Sequence, residues 1–444
     1  MARYCKFILP LLVLAMLLSG CSMPTVDELY CLPKRYNADS NLQEVIDEAM
    51  DNLQYCAPIS GNNQQTVQSA DLDGDGKDEY LLFAKDSSEK PLKILIFSEI
   101  AVGYVLMDTI EGYGFAFEFV EYANVDDRPG LDIIVGRQVS DQVVRSVSVY
   151  RFTSGFSRQL MTASYSRIIT TDFDANGMED LFLIHPGQTE DSPASAVLYA
   201  FREDEIRRSA EVSLSAPASE LRRVTLGMLQ DGTSAVFASF VPDETQLLTD
   251  ILTAADHRIL PLQMQIPVLT LDNYYLYPED IDGDGVIELP SVQKLPVPVD
   301  AEEQFCITWY ALDAYGKQNH KLSTYHNYDE GWYLRLEQSF LEQLTVLETE
   351  DQYRFGLRTK DAEEFVELFT IWVLTGPDRE QQATLEGRTL LYKGETEVYA
   401  MSFAENMEED VKKQLLDSFR LIRMDWNSDD NREEENEKGS DSGR

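Results

Sequence analysis

Five acidic segments recur along the chain at an almost constant interval, and this periodicity limits the possible folds more than any other feature. The strongest copies, DLDGDGKDE and DIDGDGVIE, are the first and the fifth, and the third copy reads DFDANGMED. The second and fourth copies are weaker. The segments begin at Asp71, Asn124, Asp172, Gly227 and Asp280, which lie 53, 48, 55 and 53 residues apart. A regular interval of this size is the signature of a repeat architecture.

The residues around each segment predict short β-strands. Runs rich in aromatic and β-branched residues follow the segments, as in Tyr80 to Ala84 and Leu181 to Ile184, and Gly, Asp and Asn separate the runs. Such runs are typical of strands and turns. About four runs fall in each interval, which suits one blade of a propeller. The sequence therefore predicts a mainly β protein, with a β-propeller of about five to seven four-stranded blades over residues 61–340.

These acidic turns at blade spacing resemble the FG-GAP/VCBS-type repeats of bacterial surface proteins and of integrin-like propellers. The resemblance covers residues 61–340, although the Phe-Gly…Gly-Ala-Pro element that gives FG-GAP repeats their name is absent. It implies a propeller whose turns bind calcium, a cation that takes six to eight oxygen ligands. Carried over by position, the implied Ca²⁺ ligands are Asp71, Asp73, Asp75, Glu79 and the Lys77 carbonyl; Asp172, Asp174, Asn176, Asp180 and the Met178 carbonyl; and Asp280, Asp282, Asp284, Glu288 and the Val286 carbonyl.

Two alternatives to these calcium turns must be weighed. An EF-hand loop also begins with alternating acids, but it needs a glutamate at its twelfth position. That position holds Leu82, Leu183 or Ser291 here, and the flanking residues favour strands over helices, so we reject the EF-hand. The other alternative is a solvated acidic turn without metal. In the second segment Arg128 replaces an acid and in the fourth most ligands are missing, so we expect neither to bind a cation.

The N-terminus has the pattern of an export signal. Arg3 and Lys6 precede an apolar run from Phe7 to Leu18, which is too short for a comfortable membrane span. The run ends in LSGC, which resembles the lipobox of bacterial lipoproteins. Residues 1–20 are therefore predicted to be a signal peptide, and Cys21 the lipid-attachment site that anchors the exported protein to the lipid bilayer of the cell membrane. An ordinary secretory signal with a chance cysteine is the alternative.

The remaining segments are less regular. Residues 21–60 are predicted to form a tether with a short helix from Asn41 to Leu53, and Cys31 and Cys56 are either a disulfide or two thiols. Residues 341–426 are predicted to form a small α+β module, or further irregular blades, ending in an amphipathic helix from Glu408 to Met424. Residues 427–444 are predicted to be a disordered acidic tail.

Composition bears on function mainly by exclusion. The chain has 37 Lys and Arg against 78 Asp and Glu, a net charge of −41 that repels nucleic acid. No G-x-S-x-G, H-E-x-x-H, P-loop or G-x-G-x-x-G stretch is present. We expect a non-enzymatic binding or scaffolding protein whose partner is an unknown envelope protein or glycan. A polysaccharide hydrolase or lyase with two catalytic carboxylates and a purely structural envelope lipoprotein are the alternatives. We expect Trp309 and Trp332 in the core, and His320 and His326 in a surface turn rather than a pocket.

Overall fold

The computed structural model describes residues 41–139, 145–173, 176–189, 191–243, 246–255, 258–262, 268–269, 276–297, 302–336, 341, 343–349, 351–358, 365–385, 387–405 and 407–422. The protein is mainly β, as predicted, and its strands form six antiparallel sheets of four or five strands. The chain divides into two compact units, Met1–Asn124 with Arg128–Ala163, and Val125–Asp127 with Ser164–Arg444. The predicted signal peptide, the predicted lipid-attachment residue Cys21, Cys31 and the predicted acidic tail lie outside the described residues.

The first unit contains helix α1 and two sheets. Their bounds are α1 Leu42–Ala49, β1 Gln54–Tyr55, β2 Val67–Ala70, β3 Glu79–Lys85, β4 Leu92–Ile100 and β5 Gly103–Gly112 in the first sheet, then β6 Ala116–Ala123, β7 Asp132–Gln138, β8 Arg145–Thr153 and β9 Phe156–Tyr165 in the second. In the first sheet β1 and β2 both pair with β3, which is followed by β4 and β5; the second sheet runs in chain order.

The core of the first unit lies between its two sheets. Phe83 and Ile94 of the first sheet pack with Phe117 and Phe152 of the second. The inner strands are buried along almost their whole length, whereas β5 and β9 are largely exposed. The helix predicted from Asn41 to Leu53 is shorter in the structure, Leu42–Ala49, and covers the first sheet through its apolar side.

The second unit contains four sheets. Their strands are β10 Arg167–Thr171, β11 Asp180–His185, β12 Ser195–Arg202 and β13 Glu205–Ser213; β14 Leu221–Met228, β15 Ser234–Asp243, β16 Gln246–Ala255, β17 Arg258–Leu262 and β18 Val268–Leu269; β19 Glu288–Lys294, β20 Phe305–Leu312, β21 Gln318–Asn327 and β22 Trp332–Leu336; and β23 Leu344–Thr349, β24 Gln352–Arg358, β25 Phe365–Thr375, β26 Arg388–Lys393 and β27 Glu397–Phe403. The helical segments are η1 Ala218–Glu220, α2 Arg379–Ala383 and α3 Glu409–Ser418. A last strand, β28 Phe419–Leu421, pairs with β22.

Each sheet of the second unit packs on the next one along the chain. One apolar cluster joins the β10–β13 and β14–β17 sheets, another joins β14–β17 to β19–β22, and a third joins β19–β22 to the last sheet. Trp309 and Trp332 are 1% and 0% exposed, which confirms them as core residues. This serial packing buries both faces of most inner strands and explains their nearly continuous apolar sequences.

The C-terminal helix differs from its prediction. It ends at Ser418 instead of continuing to Met424, and the chain turns into β28 at Phe419. The Phe419 ring stacks on Trp332, with ring centroids 5.9 Å apart. The apolar periodicity of a helix continues in the sequence through residue 422. Tertiary packing and pairing with β22 therefore end the helix earlier than this pattern predicts.

Strand β21, in the fifth repeat, was also not predicted from the sequence.

Candidate metal centres

The five acidic segments occupy the same place in five consecutive sheets. The first three join β2 to β3, β6 to β7 and β10 to β11, the fourth spans the β14–β15 junction, and the fifth leads directly into β19. No described residue of these segments lies in a helix. The recurrence of one strand-entry turn, predicted from the spacing, is confirmed.

The first aspartate of the segment shapes the turn. Asp71 accepts the backbone N–H groups of Gly74 at 2.8 Å and Gly76 at 3.0 Å, one on each carboxylate oxygen. Both glycines have positive φ, +76° and +86°, a conformation that glycine adopts without steric cost. Equivalent bonds recur in the fifth and third copies. Asp280 accepts the N–H groups of Gly283 and Gly285 at 2.7 and 2.8 Å, and Asp172 accepts the N–H of Gly177 at 2.8 Å. The repeated sequence therefore encodes one turn geometry.

The ninth position of the segment is buried in every copy. Its residues are Glu79, Asp132, Asp180, Ala235 and Glu288, all at most 4% exposed. A buried carboxylate is unfavourable unless hydrogen bonds or a cation compensate it. Glu79 accepts the Leu72 N–H at 3.0 Å, and Glu288 accepts the Ile281 N–H at 3.2 Å. Each of these bonds satisfies only one carboxylate oxygen.

The pKa values of the two glutamates reflect this environment. Burial, and then the negative charges of Asp282 and Asp284, raise the pKa of Glu288 to about 7. Burial and the neighbouring Asp73 and Asp75 raise the pKa of Glu79 as well. A bound cation would favour the charged form of both groups.

Three carboxylates converge in each strong segment. One oxygen from each of Asp71, Asp73 and Glu79 lies within 4.8 Å of the other two, and the same holds for the set Asp280, Asp282 and Glu288. These are the groups that could hold a metal ion. The third aspartate of the segment, predicted as a ligand, is not part of the convergent set. Asp75 and Asp284 accept the backbone N–H groups of Lys77 and Val286 at 2.8 and 2.9 Å.

The fifth segment leaves two of its acidic oxygens unsatisfied. Glu288 Oε1 and Asp282 Oδ1 are shielded from solvent and accept no hydrogen bond from a residue that the structure describes. Buried polar atoms normally have a partner, so orphaned carboxylate oxygens that converge with a third acid fit a hard divalent cation. The predicted carbonyl ligands, on Lys77, Met178 and Val286, stay predictions.

A lysine from a distant strand enters the fifth cluster. Lys321, on β21, places its Nζ 3.3 Å from Asp282 and 3.8 Å from Glu288, and it also contacts Asp284. The hydrogen bond from Lys321 is the main cause that lowers the pKa of Asp284. Sequence analysis missed Lys321, because nothing in the repeat pattern indicates which strand faces the turn.

The other segments carry only part of this chemistry. In the third, Asn176 accepts the Met178 N–H at 2.8 Å, Asp180 is buried, and Asp174 lies outside the described residues. In the second, buried Asp132 lies 3.8 Å from the guanidinium Nε of Arg151, a second cation that the sequence analysis missed.

A cleft of about 570 Å³ lies beside β11–β13. The cleft is lined by the aromatic rings of His185 and Tyr199 and by the charged side chains of Arg208 and Glu211. Arg208 forms an ion pair with Glu211. Burial and the Arg208 charge lower the pKa of His185. Among the residues that the structure describes, Glu211 is the one carboxylate residue that lines this cleft.

His320 and His326 lie on strand β21, so their assignment to a surface turn was wrong. The His326 ring stacks on Tyr333, with ring centroids 4.8 Å apart, and neither ring nitrogen has a hydrogen-bond partner within the described part of the chain. Burial lowers the pKa of His326 to about 3.

Comparison with known proteins gives little further information. No protein-family model and no curated protein matches the chain. A solved structure of a protein from Lactobacillus plantarum is similar over 71% of this chain and 94% of its own, with 11% sequence identity and a TM-score of 0.26. That score is too low to carry an argument about fold or function. Among the described residues, no helix has the length and apolar character needed to cross a membrane.

Proposed function

We propose that this protein is an exported, lipid-anchored β-propeller that calcium stabilises and that acts as a binding or scaffolding protein. The observation that carries the proposal is the presence of two three-carboxylate clusters in equivalent turns, Asp71 with Asp73 and Glu79, and Asp280 with Asp282 and Glu288. The resemblance to surface-protein repeats, rather than any match to a known family, motivates the link to the cell envelope.

The donor set favours calcium over other cations. The convergent ligands are all carboxylate oxygens, which hard cations prefer and which softer metals, bound through Cys and His, use less. Magnesium requires a compact octahedral shell and dehydrates reluctantly, whereas calcium tolerates a flexible turn. A calcium ion here would connect the start of the turn, at Asp71, with the start of the strand, at Glu79, and would neutralise a buried charge.

The propeller part of the proposal is supported by how neighbouring turns meet within each unit. In the first unit Leu131, in position eight of the second segment, donates its N–H to the carbonyl of Asp71 at 3.0 Å. In the second unit Ile287, in position eight of the fifth segment, donates to the carbonyl of Met228 at 3.0 Å. In both places position eight of one segment donates to a carbonyl at the start of the preceding segment, at its first position in one case and its second in the other, as a nearly constant rotation from blade to blade would produce.

Calcium binding is tested by equilibrium dialysis of the soluble chain, lacking residues 1–21, against labelled calcium. We expect saturable binding with affinity in the range of about 10⁻⁴–10⁻³ M, typical of extracellular modules. Asp73→Asn should lower the stoichiometry by one. If neither Asp73→Asn nor Asp282→Asn changes the number of calcium ions bound per chain at saturation, the proposed metal sites are wrong.

The anchor is tested separately by metabolic labelling with an alkyne fatty acid. Cys21→Ser should abolish incorporation, because the proposed acyl acceptor is the Cys21 thiol. Cys31→Ser is the matched control and should keep the label. Equal labelling of the Cys21→Ser variant and the natural chain would refute lipid anchoring at this residue.

A further inference from the structure

The two strong turns differ in what compensates their negative charge. In the fifth segment the ammonium of Lys321 lies among three acids, at 3.3 Å from Asp282 and 3.8 Å from Glu288 and in contact with Asp284. Its side chain is 28% exposed, so it reaches the cluster from solvent and has room to withdraw. Lys321 therefore occupies the charge position that a bound cation would take.

The first segment has no such internal cation. None of Asp71, Asp73 and Glu79 forms an ion pair with another residue that the structure describes. The lysine of this turn, Lys77, points away from the cluster and pairs instead with Glu99 of β4, at 3.0 Å. The negative charge of this cluster is therefore left for an external cation.

We propose that Lys321 is a built-in competitor for the cation at the fifth segment, so that the two turns are unequal calcium sites. The first turn binds calcium directly. The fifth turn binds calcium only when the Lys321 ammonium leaves the cluster, which weakens this site and keeps the turn compensated when calcium is scarce. This inference rests on the proposed calcium binding and assigns a residue outside the repeat that sets its affinity.

The physical basis is simple electrostatics. Two cations at the same carboxylates repel each other, and at about 4 Å this repulsion is appreciable even with the screening near a protein surface. Displacement of the lysine also breaks its contacts with three acids. Removal of the ammonium should therefore raise the calcium affinity of the fifth turn by about tenfold or more.

The test is Lys321→Gln in an Asp73→Asn background, where the first site is removed and the fifth can be titrated alone by calorimetry. We expect at least a tenfold lower Kd for calcium than in Asp73→Asn alone. Lys294→Gln in the same background is the matched control: it removes the same charge from an exposed ion pair with Glu303, outside the fifth cluster, and should leave the Kd unchanged.

The outcomes separate this inference from the proposed function. If the fifth turn binds calcium with the same Kd with and without Lys321, the competition by Lys321 is wrong but the metal sites stand. An equal gain from Lys294→Gln would also overturn it, because the effect would then reflect overall charge. Absence of calcium binding in the natural chain and in every variant would overturn both the competition and the metal sites.

Discussion

The first and fifth acidic turns have similar sequences and share most of their internal hydrogen bonds, yet their surroundings differ. In the first turn, a Cβ added at Gly74 would lie 2.4 Å from Pro129 and 2.8 Å from the backbone of Gly130. At the equivalent Gly283, no atom of the described residues lies within 4 Å of an added Cβ. The first turn is therefore packed on its neighbour and lacks an internal cation, whereas the fifth is open at this position and contains Lys321. The repeat encodes the turn, and other strands decide its environment.

Substitution of the equivalent glycines should give the largest effect. Gly74→Ala forces a side chain into a positive-φ position, which costs about 1–2 kcal/mol, and also against backbone atoms that cannot move aside. Gly283→Ala has only the first penalty. We expect Gly74→Ala to lower the free energy of unfolding by about 3 kcal/mol and Gly283→Ala by about 1 kcal/mol, measured by urea denaturation in chelator. Equal losses would contradict the packed contact at Pro129.

Acid should affect the sheet of the fifth turn through His326, which has no counterpart at the first turn. Because the folded-state pKa, about 3, lies below the ordinary value of 6.5, the unfolded chain binds a proton first as the pH falls. Stability is therefore lost between pH 6.5 and 3, by up to about 1.4 kcal/mol per pH unit, or about 2 kcal/mol at pH 5.

His326→Phe should remove this component, since an apolar ring can stay stacked on Tyr333 without a proton to bind. Thermal unfolding from pH 7 to 5 would measure it. His320→Gln, on the same strand but exposed, is the control and should keep the natural pH profile. If the stability of His326→Phe falls as steeply from pH 7 to 5 as that of the natural chain, other groups cause the acid sensitivity.

The smallest expected effect is the difference in calcium response. At 1 mM calcium, a site with Kd near 10⁻⁴ M stabilises the folded state by about 1.4 kcal/mol, or about 3–6 °C in Tm for a unit of this size. Asp73→Asn should remove more of the calcium-dependent rise in Tm than Asp282→Asn does, because Lys321 already compensates the fifth cluster. The reverse order would contradict the proposed inequality of the two sites.

What the sequence could predict follows from how local each feature is. The turn and its glycines depend on nine neighbouring residues, so the repeat pattern reveals them. The burial of the ninth position comes from the packing of the sheets and could not be predicted from the repeat. Lys321 and Arg151 meet their acids across a sheet, and no spacing rule links β21 or β8 to a turn in another part of the chain. The end of helix α3 was mispredicted for the same reason, since Phe419 leaves the helix to stack on Trp332, a distant residue.

Anomalous diffraction from crystals of the protein grown with millimolar calcium would show directly whether the first turn binds calcium more tightly than the fifth. We expect a calcium peak among Asp71, Asp73 and Glu79, at about 2.3–2.6 Å from their oxygens, with a weaker or partly occupied peak at Asp280, Asp282 and Glu288. A map with no peak in the first cluster, at a calcium concentration well above 1 mM, would contradict this expectation.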